Sequence, residues 1–147
     1  MRVLYGSLDN YYGGAHMSEM KDFLQEADWK KEKHVPVIDA PASVKKGEAF
    51  KVTVTVGKDI AHPNTTAHHI TWIAAYFVPD GEKFPYLISR AEFSSHGASV
   101  LGPDTSTVYT ASDVTFSMKS DKSGAILVIS SCNIHGLWES DKKITVQ

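Results

Sequence analysis

The chain holds one cysteine among its 147 residues, and that scarcity excludes an intrachain disulfide framework. No apolar run approaches the roughly 20 residues of a membrane-spanning helix. Positive charge is not in surplus either: 15 Lys and Arg stand against 17 Asp and Glu, a formal charge of −2, which leaves no general basic field for a nucleic-acid backbone. No basic-then-apolar signal segment opens the chain, and repeats and low-complexity stretches are missing. Together these absences favour a reducing interior, so the expected location is the cytoplasm, with neither membrane nor nucleic acid as partner. What is present is ordinary for a globular domain, with 42% hydrophobic and 22% charged residues. A single domain of about this length buries roughly 70% of its unfolded surface and needs no external staple.

The first sixteen residues, "MRVLYGSLDNYYGGAH", show neither helical nor strand periodicity. They end at a His-Met junction of the kind a common cloning site encodes, so residues 1–16 read as an expression leader or disordered extension, with His16 set aside. Residues 17–147 read as one domain. Met20, Phe23, Leu24 and Ala27 fall at i, i+3, i+4 and i+7 behind Ser18, which predicts one short amphipathic helix. Strands follow. In "FKVTVTV", Phe50, Val52, Val54 and Val56 alternate with polar residues, the period-two mark of a strand with one buried face. "HITWIAAYF", "YLISRAEF", "VTFSM", "AILVISS" and "KITVQ" are further strands, separated by turn clusters such as "PDGEKFP" and "LGPDTS". The expected fold is an all-β, immunoglobulin-like antiparallel β-sandwich of about seven strands with a short N-terminal helix.

Of seven histidines, six remain once His16 is set aside: His34, His62, His68, His69, His96 and His135. Three lie in "HPNTTAHH", between two strong strands, and one follows the lone cysteine by three positions in "CNIH". His62 precedes Pro63, which biases it toward extended backbone, and the five residues before His68 let the loop present two imidazoles to one point. Neighbours on a strand face opposite ways, so His68 and His69 are not both expected to reach one centre. Singly, each feature reads more simply as a small buried cysteine or a solvated histidine. Together they form a mixed nitrogen and sulfur donor set.

One sulfur disfavours structural zinc, which prefers several thiolates. A cupredoxin-like electron-transfer copper protein is the alternative, since it pairs two imidazoles with one thiolate and a weak axial methionine. No methionine follows "CNIH", however, and Met118 lies fourteen residues upstream. More than two imidazoles with one thiolate suit iron with an open position. A metal-free interaction module of the same fold is the third reading.

The segments "EKHVPVI", "HPNTTAHHITW" and "CNIHGLWES" resemble the superoxide reductase family, in its one-iron neelaredoxin branch related to desulfoferrodoxin, from about Trp29 to the C-terminus. The resemblance implies one mononuclear non-haem iron held by four equatorial histidines and an axial cysteine: His34, His62, His68, His135 and Cys132. The additional four-cysteine site of the two-iron branch is excluded by the single cysteine. Ala67 and Ser131 stand where the family commonly has glutamate and tyrosine, and neither is a ligand position. His96 falls in a recurrent segment as a structural hydrogen-bonding residue.

The implied reaction is one-electron reduction of superoxide to hydrogen peroxide, consuming two protons and releasing no dioxygen. Lys30, Lys31 and Lys33 flank His34, and local positive charge raises an anion's encounter rate. Lys33 is the residue expected to attract superoxide and orient the water that supplies a proton. Glu32 matches the family glutamate that occupies the open position of the oxidised centre. Amides of Ile134 and His135 are expected to point at the Cys132 sulfur and moderate its donation. The family further implies a rubredoxin-like electron donor and a homotetramer.

Overall fold

The computed structural model describes residues 19–147; the leader expected at residues 1–16 lies outside them. Nine strands run in chain order: β1 (Leu24–Gln25), β2 (Pro36–Asp39), β3 (Ser43–Val44), β4 (Phe50–Val56), β5 (Ile70–Pro79), β6 (Tyr86–Glu92), β7 (Asp113–Met118), β8 (Gly124–Cys132) and β9 (Gly136–Val146). They form two sheets. The larger has the order β1-β9-β8-β5-β6 with β3 also on β9, and the smaller has the order β2-β4-β7. Seven of the nine have four residues or more, and every pairing is antiparallel except those of the short β1 and β3 with β9. The expected sandwich of about seven strands is what forms.

The N-terminal helix is reduced to one 3-10 turn, Met20–Asp22, which buries nothing. Met20 and Phe23 stay exposed, so the helical spacing has no surface to pack on. Leu24 instead pairs with Leu137 as the start of β1. Helices this short draw their stability from packing rather than propensity, and here packing is absent.

Alternation places the core. Val52, Val54 and Val56 of β4 face Ile73, Ala75 and Phe77 of β5, Ile126 and Val128 of β8 and Ile144 of β9, all buried. Gly124 opens β8 where a Cβ would lie 2.3 Å from the Val78 carbonyl oxygen and 2.8 Å from the Phe77 ring, so only glycine fits.

Two local features carry this framework to one end of the sandwich. The inward residues of β8 run Ile126, Val128, Ser130, Cys132, so the core alternation itself delivers the sulfur inward at the strand's end. Opposite them, the β5 register shifts between Ile70 and Trp72, with Ile70 facing Cys132 and Trp72 facing Ser131. That β-bulge adds Thr71 to one strand, and its hydroxyl donates to the Ser131 carbonyl at 3.0 Å. Beyond Cys132 the chain turns back through Asn133–His135 to Gly136, which pairs with Cys132 and has φ 77°. A three-residue hairpin loop closing on a left-handed glycine explains why "CNIHG" reads as it does.

Candidate metal centre

Four histidines meet at this end of the molecule. Ring centroids of His34 and His62 are 4.8 Å apart, His62 and His68 4.7 Å, His68 and His135 4.9 Å, and His135 and His34 4.7 Å. The diagonal from His34 to His68 is 6.0 Å. The four imidazoles are therefore corners of a near-square, in that cyclic order. Cys132 completes the set: the donor atoms of His34, His68, Cys132 and His135 all lie within 4.8 Å of one another. His62 occupies the fourth corner, opposite His135.

Two of the rings, His34 and His62, are held by a partner on the far side. The Nδ1–H of His34 donates to the Glu32 carboxylate at 2.7 Å, which leaves Nε2 facing inward, 3.1 Å from His135 Nδ1. The His34 amide also donates to Glu32 at 3.2 Å, and the His34 carbonyl accepts from the Ser130 hydroxyl at 3.1 Å. His62 donates from Nδ1 to the Pro63 carbonyl at 2.7 Å. His135 Nδ1 lies 3.2 Å from His68 Nε2 and 3.7 Å from the Cys132 sulfur. The His135 amide donates to that sulfur at 3.4 Å. Ile134 was expected to do the same, but among the described residues it makes no such bond, and its side chain stands 57% exposed at the rim.

Asn133 ties the two halves of the site together. Its backbone amide donates to the His69 carbonyl at 3.1 Å, its side-chain oxygen accepts from the His69 amide at 2.8 Å, and its Nδ2 donates to the Ala67 carbonyl at 2.9 Å. His69 is turned away from the square and stacks on buried His96, with centroids 3.7 Å apart and planes at 3°. His96 in turn contacts Asn64 Oδ1 at 2.8 Å and the Phe93 carbonyl at 2.6 Å. These two histidines brace the His62–His68 loop.

Burial lowers the pKa of three of the corners. Loss of hydration pushes His62 down to about 4 and lowers His34 and His68 below the ordinary imidazole value, more than offsetting Glu32 in the case of His34. These rings are neutral at pH 7, with lone pairs available as donors. Glu32 is held below the usual carboxylate range chiefly by its hydrogen bond to His34. Lys33 is half-buried next to His34 in the chain, and its charge is a minor contribution to lowering His34, His62 and His68. Lys30 instead lies over the Trp29 ring at 5.7 Å. Glu32, expected at the open position of the centre, has its carboxylate on the outer nitrogen of His34.

The donor set fits a metal ion. Nitrogens bound at about 2.1 Å and at right angles lie about 3.0 Å apart, close to the spacing seen here. Where neither nitrogen of such a pair carries a proton, lone pairs converging at that distance are favourable only with a cation between them. His62 Nε2 is buried without a hydrogen-bond partner, an orphan that a metal bond would satisfy. Met118, in contrast, pairs with Phe50 at the far end of β4, whereas Val56 at the near end pairs with Pro36 beside the site. Six residues of strand place it about 20 Å away, too far to be an axial copper ligand.

Fold and donors together define a β-sandwich protein with a histidine-rich, single-thiolate metal centre. The sequence profile of the desulfoferrodoxin family matches residues 26–141, and the chain belongs to that family. It is 50% identical over 129 residues to the neelaredoxin of Megalodesulfovibrio gigas, covering 88% of this chain and 99% of the relative. It is 51% identical over 122 residues to the superoxide reductase of Pyrococcus furiosus, covering 83% and 96%. The solved structure of the Archaeoglobus fulgidus superoxide reductase in its reduced form superposes with a TM-score of 0.78 at 54% identity, covering 84% of this chain and 98% of that one.

Sequence reasoning left three supporting residues without roles: Ser130, Asn133 and Trp138. Asn133 and Trp138 lie in the quoted "CNIHGLW" motif, yet only the hairpin geometry reveals what they touch.

Proposed function

We infer that this chain is a superoxide reductase, and we propose that its centre is one iron held by His34, His62, His68, His135 and Cys132. The near-square of imidazoles with a single sulfur carries the reading. Four nitrogens and one thiolate suit iron better than the two-imidazole copper or multi-thiolate zinc sets. When bound, the iron supplies the electron by which superoxide, with two protons, becomes hydrogen peroxide.

The protein's own residues prepare that reaction. His34, His62 and His68 are kept neutral by burial and stay ready to bind at physiological pH. Glu32 and the Pro63 carbonyl fix which nitrogen of His34 and His62 faces inward. The His135 amide draws charge from the Cys132 sulfur and moderates its donation. Lys33 gives a small anion a positive approach and holds the water that delivers a proton. Glu32, whose carboxylate accepts from His34 Nδ1–H, would have to exchange that partner to serve as a ligand to bound iron. The same reading takes, by family, a rubredoxin-like protein as electron donor and a homotetramer as the assembly, and, from the single cysteine, the cytoplasm as the setting.

Metal content and product yield test it together. The purified protein should contain one iron per chain and yield one peroxide per superoxide consumed when a reductant is supplied. A yield of half that with dioxygen released would indicate dismutation, and copper in place of iron would overturn the assignment.

A further inference from the structure

Trp138 touches two corners of the square and has no part in the chemistry described above. Its indole lies flat on the His34 imidazole, with centroids 4.9 Å apart and planes at 14°. Its Nε1–H donates to the His135 carbonyl at 3.1 Å. The two rings it bridges are the adjacent pair whose nitrogens lie 3.1 Å apart. The residue is anchored on both sides in β9, pairing with Ser130 of β8 and Gln25 of β1.

Glu32 grips His34 at one edge, within the plane of the ring. An edge contact leaves the ring free to tilt out of that plane. A flat partner on the face removes that freedom, because tilting would open the stack or drive the rings together. The bond to the His135 carbonyl acts on the other corner, where it fixes the hairpin loop that carries that ring. Ser130, the β8 partner of Trp138, already holds the His34 backbone. Trp138 therefore closes a circuit that runs from β8 through both ligands and back to β9.

We propose that Trp138 is a positioning residue that fixes the mutual angle of the His34 and His135 imidazoles at the metal centre. The proposal rests on the metal reading given above. It differs from a space-filling role, which would affect stability alone. Groups that orient ligands from outside the coordination sphere typically change metal affinity by roughly 10–100-fold when removed.

Cobalt(II) titration of the metal-free protein, followed by visible absorption, separates these roles without reference to turnover. The parent should bind one cobalt and develop thiolate-to-metal and ligand-field bands; a parent that binds none refutes the metal centre itself before any variant is made. Trp138→Leu, which loses both the stack and the N–H, should bind cobalt roughly 10–100-fold more weakly with shifted ligand-field bands. Trp138→Phe keeps a flat ring and loses only the N–H, so its loss should be smaller and its band shift partial. Trp138→Leu binding within twofold of the parent with the same spectrum overturns the proposal, as does a lowered melting temperature with unchanged cobalt bands. Should the leucine variant fail to fold, Trp138→Phe decides by the same criteria: unchanged affinity and bands overturn the proposal.

Discussion

Glu32→Ala removes the partner that orients His34, and its cost can be worked from the contacts. The bond lost is charge-assisted, from a ring N–H to a carboxylate at 2.7 Å, with a weaker one from the His34 amide at 3.2 Å. Hydrogen bonds to charged groups contribute about 1.5–3 kcal/mol when shielded from water. The Glu32 side chain is 31% exposed, so solvent screening reduces this to about 1–2 kcal/mol. If the loss falls on the metal-bound state, affinity should drop about five- to thirtyfold. Glu32→Gln keeps an acceptor without the charge and should fall between the two. Competition against a chelator of known affinity, using zinc(II) or cobalt(II), measures the effect directly. An alanine variant that binds as tightly as the parent would show that the carboxylate does not orient His34, and a glutamine variant weaker than the alanine one would contradict the charge argument.

Three further outcomes are expected. Cys132→Ser should abolish the sulfur-to-iron absorption of the oxidised protein, and a visible band that survives unchanged would remove the cysteine from the ligand set. Lys33→Ala should slow superoxide consumption roughly three- to tenfold at low salt and flatten its dependence on ionic strength while iron content holds; an unaltered salt slope in stopped-flow measurements would rule out steering by this residue. The metal-free protein should become more stable as pH rises from about 4 to the ordinary imidazole value near 6.5, because over that window the unfolded chain keeps a proton that folded His62 has lost. Urea midpoints at several pH values check this, and a midpoint that falls across the same interval would contradict the burial of that ring.

Legibility from sequence followed how much each element depends on its neighbours. The β4 run alternates because one face is buried along its whole length, and its pattern could be read directly. The β9 strand was seen only at its end, "KITVQ", because Glu139, Asp141, Lys142 and Lys143 interrupt the apolar signal. Strands β1, β2 and β3 have two to four residues, at or below the shortest length at which periodicity is informative. The expected helix shows the opposite error, since Met20, Phe23 and Leu24 have the right spacing, yet Met20 and Phe23 have nothing to cover them and Leu24 pairs with Leu137 instead. At the site, the five donors were named through the family resemblance, whereas local spacing supplied only the "CNIH" pair and the loop histidines. The cyclic order of the imidazoles, the grip of Glu32 on His34 and the stacking of Trp138 depend on strands far apart in the chain, and no spacing rule conveys them.

The bulge at Thr71 makes metal retention a gauge of strand register. A slip of β8 by one residue against β5 would turn the lone thiol outward and leave the four imidazoles without their sulfur. Misaligned chains should therefore emerge colourless even when their strand content looks native, so absorbance at the sulfur band counts correctly zipped molecules rather than folded ones.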